Sequence, residues 1–297
     1  MKKFILTALS VFAFLFLITQ NTLARIVKDE TPGLLYEITG KDLKKPSYLF
    51  GTIHVICPAD MLSMEKISPY LDQTEQLIME LDMDNAEEMQ SMSKGLMMAG
   101  GKTLKDFLTA EEYAKIDQMF KENMGVSVEN LKQVKPIFLS IMITTSPKVL
   151  GCTPPGSYEM SLLTAAVAKK KAIEGLETVS SQFAVMDKQP LEKQAKDLYK
   201  MALDPQKSFG DFKKLIETYK AQNSDQLYDL IVLQMSEDEE FQANILDERN
   251  KNWIPKIEKA IKEKPSFIAV GGGHLGGKNG VINLLKSQGY KIRPIKL

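Results

Sequence analysis

The alternation of apolar and polar positions lays out the elements before any single residue carries weight. Residues 34–39 and 47–55 are apolar, β-rich runs joined by the polar stretch 40–46, which holds Gly40 and Pro46, and the pattern predicts an antiparallel hairpin. Residues 60–74 read as a helical stretch bent near Pro69, followed by a third apolar strand at 76–81 that ends in Asp82-Met83-Asp84. Helical spacing recurs at 87–98 and 109–124, with Gly100-Gly101 and Gly125 as breakers. A further apolar segment spans 135–149, then a helix over 156–170 and a short strand at 172–176. The texture changes at 189–262, which is rich in Lys, Glu, Gln and Leu and interrupted only by Pro205 and Pro255. Its periodicity predicts a helical cap whose alternating charges mark a solvated face. Residues 266–270 return to strand composition, 280–287 form a helix that Gly289 closes, and 290–295 form a final strand. Strands near both ends of the sequence with helices between them predict an α/β (α+β) fold. Its single compact domain has a central mixed sheet completed by the C-terminal strands, plus the cap.

The first segment stands apart from this pattern. Lys2 and Lys3 precede an apolar run over residues 4–18, broken only by Thr7 and Ser10, and Thr22-Leu23-Ala24 places small residues at a cleavage point. This is the layout of a secretory signal peptide cut near Ala24. The run is shorter than the ~20 residues a spanning helix needs. No later segment is apolar enough to span a bilayer, so the expected mature protein, 25–297, is soluble, without a membrane role, and periplasmic or extracellular.

Composition then narrows the function classes. With 38 Lys+Arg against 38 Asp+Glu, no basic face is available to neutralise phosphates, so nucleic acid is not an expected partner. The 44% hydrophobic and 26% charged content is that of a globular chain. Two His and two Cys exclude a three-His zinc site and a dense disulfide scaffold. In an oxidising compartment Cys57 and Cys152 can form one bridge across a long loop. The alternative is a Cys57 nucleophile assisted by His54, which an oxidising compartment disfavours.

Both histidines sit in one local context. Phe50-Gly51-Thr52-Ile53-His54 ends one strand run in Gly-x-x-His, and Val270-Gly271-Gly272-Gly273-His274 ends another with one extra residue. Strand ends are where α/β sheets bind ligands, and glycines there let backbone and substrate approach. Two imidazoles that converge can hold a divalent metal only if carboxylates complete the set. The candidates are Glu80, within the apolar run Leu77-Ile78-Met79-Glu80-Leu81, and Glu177, at the end of Gly175-Leu176-Glu177. A carboxylate in a buried strand is costly unless paired, so it suggests a purpose; the alternative for Glu80 is an outward-facing position. Arg249 can steady a carboxylate or a developing oxyanion.

Two other patterns carry less. The run Gly272-Gly273-His274-Leu275-Gly276-Gly277-Lys278-Asn279 nearly spells a phosphate-binding loop, but Asn279 stands where the Mg²⁺-binding hydroxyl is required. The methionines at 79, 83, 89, 92, 97 and 98 fit irregular core packing better than soft-metal ligation.

Taken together, Tyr48-Leu49-Phe50-Gly51-Thr52-Ile53-His54-Val55, Met79-Glu80-Leu81-Asp82, Gly175-Leu176-Glu177-Thr178, Arg249-Asn250 with Trp253, and Ala269-Val270-Gly271-Gly272-Gly273-His274-Leu275 resemble the TraB/GumN family, related to the Tiki proteases. The second motif reads Gly-Gly-Gly-His where family members more often have Gly-Ala-x-His. The resemblance implies a compact α/β fold with both histidine motifs and a glutamate around one active site. It carries over to His54, Glu80 and His274, and extends to Glu177 and Arg249. Tiki members are metal-dependent proteases that trim secreted signalling proteins, with Mn²⁺ or Co²⁺ favoured and Zn²⁺ also open here.

The expectation is therefore an exported metal-dependent hydrolase, a peptidase acting on a peptide or secreted protein. His54 and His274 would bind the ion, Glu80 would be ligand or general base, and Arg249 would stabilise the oxyanion, with 189–262 covering the cleft. Two rivals stand beside it. One is a metal-free His/Glu hydrolase like the more distantly similar erythromycin esterases; the other is a non-catalytic protein that captures a peptide or pheromone.

Overall fold

The structure, a computed structural model, describes residues 33–235 and 237–297. The expected signal peptide, 1–24, lies outside them. The expected hairpin is present: β1 (Leu35–Thr39) pairs antiparallel with β2 (Ser47–Thr52), with Leu35 opposite Phe50 and Ile38 opposite Ser47. Three more strands extend the sheet from β2 by parallel pairing. They are β3 (Gln76–Leu81), β4 (Ala172–Glu177) and β5 (Ser266–Gly271), and β6 (Lys291–Ile295) pairs antiparallel with β1. The six-stranded mixed sheet has the order β4-β3-β5-β2-β1-β6, so the last strand closes the sheet beside the first.

All six positions of β2 and five of six in β3 and in β5 are buried. Strands buried at successive positions are covered on both faces, as parallel sheets require. The coverage comes from α1 (Met64–Asp72), α6 (Tyr158–Ala168), α12 (Arg249–Glu263) and α13 (Val281–Ser287), whose apolar residues share one core with the strands. Phe50 meets Tyr158 edge-on, and Trp253, Ile254, Ile257 and Ile261 line one stripe of α12.

A second apolar cluster, around Ile116, Phe120, Leu139, Ile143, Leu198 and Phe209, joins four helices. These are α3 (Ala110–Met124), α4 (Pro136–Thr144), α8 (Leu191–Leu203) and α9 (Pro205–Lys220). The apolar segment at 135–149 is two helices rather than one run, because α5 (Pro147–Leu150) begins with a proline, which starts a helix well and continues one badly. The remaining helices are α2 (Ala86–Gly95), α7 (Val179–Met186), α10 (Ser224–Gln234) and α11 (Glu239–Gln242), the last running through a π-helical segment, Ala243–Glu248, directly into α12. Among the described residues no helix is long and apolar enough to cross a membrane.

Cys57 and Cys152 are bonded, with Cα atoms 5.8 Å apart, so neither is a free nucleophile. The bridge joins the loop after β2 to the loop before α6, and Ile56 and Gly156 reinforce it by exchanging two backbone hydrogen bonds of 3.1 and 2.7 Å.

Candidate active site

The four parallel strands each end in one of the residues singled out from the sequence. His54 lies two positions past β2, Glu80 one before the end of β3, Glu177 at the last residue of β4, and His274 three past β5. Parallel pairing puts these ends along one rim of the sheet, where α/β folds bind ligands. Arg249 enters from above, at the first residue of α12, where the π-helical turn before it sets its register.

Glu80, Glu177 and Arg249 form one buried ionic group. The Arg249 Nη2 donates to Glu80 Oε2 and to Glu177 Oε1, both at 2.5 Å, and its Nε donates to both oxygens of Glu177 at 3.1 and 3.3 Å. Gln182 donates to both carboxylates, the indole of Trp253 donates to Glu177 Oε2 at 3.4 Å, and the Gly271 N–H donates to Glu80 Oε1 at 2.8 Å. Burial works against the charge of Glu80. The Arg249 guanidinium, the two imidazoles and the Gly271 N–H outweigh it and hold the carboxyl well below its usual range. The outward-facing alternative for Glu80 therefore does not apply.

His274 lies against the same group. Its Nδ1 is 2.7 Å from Asn250 Oδ1, while the Asn250 amide nitrogen donates to the carbonyls of His274 and Asn279. Those two carbonyls fix which end of the amide faces the ring, so Nδ1 carries the proton and Nε2 keeps its lone pair. Arg249 Nη1 donates to that lone pair at 3.2 Å, and Trp253 packs on the ring at 4.5 Å between centroids. Burial first, then the neighbouring Arg249 and His54, push the pKa of His274 down to about 3 against the pull of Glu80. It is a neutral imidazole.

His54 is held differently. Its Nδ1 is 2.8 Å from Glu159 Oε1, and Thr52 and Ser157 donate to the same carboxylate at 2.6 and 2.8 Å. The surrounding protein works against its charge, but the Glu159 bond and the charges of Glu80 and Glu159 raise its pKa to about 9. The side chain is still 66% exposed. It is an imidazolium at neutral pH.

The two histidines, more than two hundred residues apart in sequence, meet at Gly271. A Cβ on Gly271 would lie 3.3 Å from Glu80 Oε1, 3.6 Å from His274 Cδ2 and 3.7 Å from His54 Nε2. The glycine leaves a cradle there that a methyl group would fill. The neighbouring glycines serve packing: a Cβ on Gly272 or Gly273 would meet Leu227 or Ile231 of α10 at 2.6 and 2.5 Å. That accounts for the glycine run without a phosphate.

A divalent ion is the group the family resemblance implies, and the cradle is where its fit is tested. Each imidazole has its Nδ1 engaged by an oxygen acceptor, the arrangement that presents Nε2 to a metal. Glu80 Oε1 is 3.9 Å from His274 Nε2. The donor types fit His54, His274 and Glu80 as ligands. Among the described residues no three such donors already stand as a formed cluster. Arg249 is the physical counterpart of that, since its guanidinium engages both the His274 lone pair and Glu80.

All five expected residues thus fall in one cluster, joined through Arg249 and the Gly271 cradle. Glu159 and Gln182 belong to it as well with no signal in the sequence, and Asn250 and Trp253, which entered only as part of the family motif, gain roles there. Residues 34–294 match the model of the TraB/PrgY/gumN family, and the chain belongs to that family. No match was found among curated proteins or among solved structures.

Proposed function

We propose that this TraB/PrgY/gumN family chain is a divalent-metal-dependent hydrolase acting on a peptide outside the cytoplasm. The observation that carries the reading is the cradle at Gly271, on which His54 Nε2, His274 and Glu80 Oε1 converge from three strand ends. His54, His274 and Glu80 would hold the ion, which when bound polarises a carbonyl and makes its water a nucleophile near neutral pH. Glu159 and Asn250 engage the two Nδ1 atoms, leaving Nε2 of each ring to bind: that of His54 faces the cradle, while His274 meets the cradle at Cδ2 with its Nε2 on Arg249. Glu80 would serve either as the third ligand or, where it does not ligate, as the base that takes the proton from the attacking water. Arg249, beside His274 and Glu80, would donate to the oxyanion that develops on the substrate. The π-helical turn before it is the local irregularity that aims it.

The peptide substrate follows from the likeness to the Tiki proteases, and the extracytoplasmic setting from the signal-like first segment together with the Cys57–Cys152 bond.

Calorimetric titration of residues 25–297 with Mn²⁺, Co²⁺ and Zn²⁺ tests the reading, beside His54→Ala and His274→Ala. One ion per chain is expected, lost in both variants. Binding should tighten between pH 7 and 9, because His54 must give up its proton to become a ligand. Full binding in His54→Ala would sink this assignment.

A second reading is favoured by one contact, the Arg249 cation already seated on Glu80 and His274. In that case the site hydrolyses without an ion, with the His54 imidazolium as acid and Glu80 as base. Peptide or ester hydrolysis that survives a chelator would select it.

A further inference from the structure

Glu159 has surroundings built for one orientation. It stands in the first turn of α6, where the helix N-terminus favours an anion, with a side chain only 14% exposed. Three donors converge on its carboxylate. Thr52 Oγ1 and His54 Nδ1 share Oε1 at 2.6 and 2.8 Å, and Ser157 Oγ takes Oε2 at 2.8 Å. Both hydroxyls point the carboxylate at His54, so the imidazole plane is set by a group that cannot itself rotate away.

The backbone repeats the arrangement. Cys57 follows His54 by three residues, Cys152 precedes Glu159 by seven, and the two are bonded. Between the bridge and the pair, Ile56 and Gly156 exchange their backbone hydrogen bonds. The loop bearing His54 and the loop leading to Glu159 are therefore joined at three successive levels. The His54 ring, two-thirds exposed, has little packing of its own to hold it.

We propose that Glu159 is the positioning residue of His54, directing its Nε2 to the Gly271 cradle, and that the Cys57–Cys152 bridge clamps the two loops in the register this requires. The proposal deepens the hydrolase reading, and only its metal-affinity arm rests on that reading. A merely structural Glu159, serving the start of α6, would change stability without moving the His54 ring.

Nitrogen-15 imidazole spectra separate the two, because the chain has only two histidines and His54→Gln assigns them. In the metal-free full chain a hydrogen-bonded Nδ1 proton is expected for His54. It should vanish in Glu159→Ala while the His274 proton, held by Asn250, stays. In Cys57→Ser/Cys152→Ser the His54 resonance should broaden or shift. An unchanged His54 signal in folded Glu159→Ala would overturn the positioning role, and an unchanged signal in the double serine variant would overturn the clamp. Should Glu159→Ala fail to fold, Glu159→Met keeps the length of the side chain without the acceptor, and the same loss or persistence of the His54 signal decides. In the second arm Glu159→Ala should weaken Co²⁺ affinity by ~10- to 100-fold, the usual cost of losing a group that orients a ligand. A wild type that binds no Co²⁺ yet loses its His54 signal with Glu159 would refute the metal reading and uphold the positioning residue.

Discussion

His54 and His274 face one cradle from opposite kinds of surroundings. His54 stands at the rim, 66% exposed, against a carboxylate, on a loop fastened by a disulfide and one pair of backbone hydrogen bonds. His274 lies beneath Arg249 and Trp253, against the amide of Asn250, on a loop packed under Leu227 and Ile231 of α10. The surroundings decide the charge: the Glu159 carboxylate outweighs desolvation and makes the first imidazole a cation, while burial, with the nearby guanidinium, leaves the second neutral with its one proton on Nδ1. The scaffold decides what holds each. One side depends on a covalent tie, and the other on the core.

Cutting the tie should have the largest effect. The bridge spans a sequence separation of 95, for which loop-closure entropy gives ~4 to 5 kcal/mol. Cys57→Ser/Cys152→Ser should lower the denaturation midpoint accordingly. The single tryptophan, Trp253, sits on the His274 side and reports on that side alone. Its emission in the native state should stay unchanged in this variant. A shift would mean that the two sides are not independent.

The converse cut is Arg249→Met. It leaves Glu80 and Glu177 buried without their cation, and breaking a buried pair in this way costs ~3 to 5 kcal/mol. Here the Trp253 emission should change, since the guanidinium packs over the indole 4.8 Å from its centroid. Adding Glu80→Gln and Glu177→Gln to Arg249→Met should recover part of the stability. If the triple variant is no more stable than Arg249→Met, the cost lies in lost packing rather than in stranded charge.

The asymmetry was only half legible in the sequence. The strands, the hairpin and the closing C-terminal strand follow from short apolar runs and turn residues, because each is a local pattern. Glu80 was legible as a charge inside an apolar run, and the matched glycine-histidine motifs pointed to one rim. Glu159 gave no such signal. An acidic residue just after a capping serine, here Ser157, is ordinary helix chemistry, and only the tertiary approach of Thr52 and His54 gives it another use. Asn250 was visible only as part of the family motif, and its bond to His274 Nδ1 appears only in the tertiary structure. Composition also says little about layers: α12 shares the charged texture of 189–262, yet Trp253, Ile254, Ile257 and Ile261 place it on the sheet. The meeting at Gly271 depends on strand order, and no local period encodes that.

The smallest effect expected is also the one that reads both histidines in a single experiment, the pH dependence of stability in the metal-free chain. His274 has a folded pKa of about 3 against ~6.5 unfolded, so below pH ~6.5 the unfolded state takes up a proton that the folded state refuses. Stability contributed this way is present above ~6.5 and lost as pH falls, by at most ~1.4 kcal/mol per unit. His54 runs the other way. Its folded pKa of about 9 means that its contribution is complete below ~6.5 and lost as pH rises through 9. Solvent at the rim screens the His54 pair, so the alkaline limb should be the shallower one. Urea unfolding between pH 5 and 9.5 should therefore give a maximum near neutrality with unequal sides. The carboxyls of Glu80 and Glu159 are shifted downward and titrate below this range. His54→Gln should flatten only the alkaline limb, and His274→Gln only the acid one. If His54→Gln flattened the acid limb as well, the two imidazoles would titrate as one coupled pair, and the separation into a clamped cation and a buried neutral ring would fail.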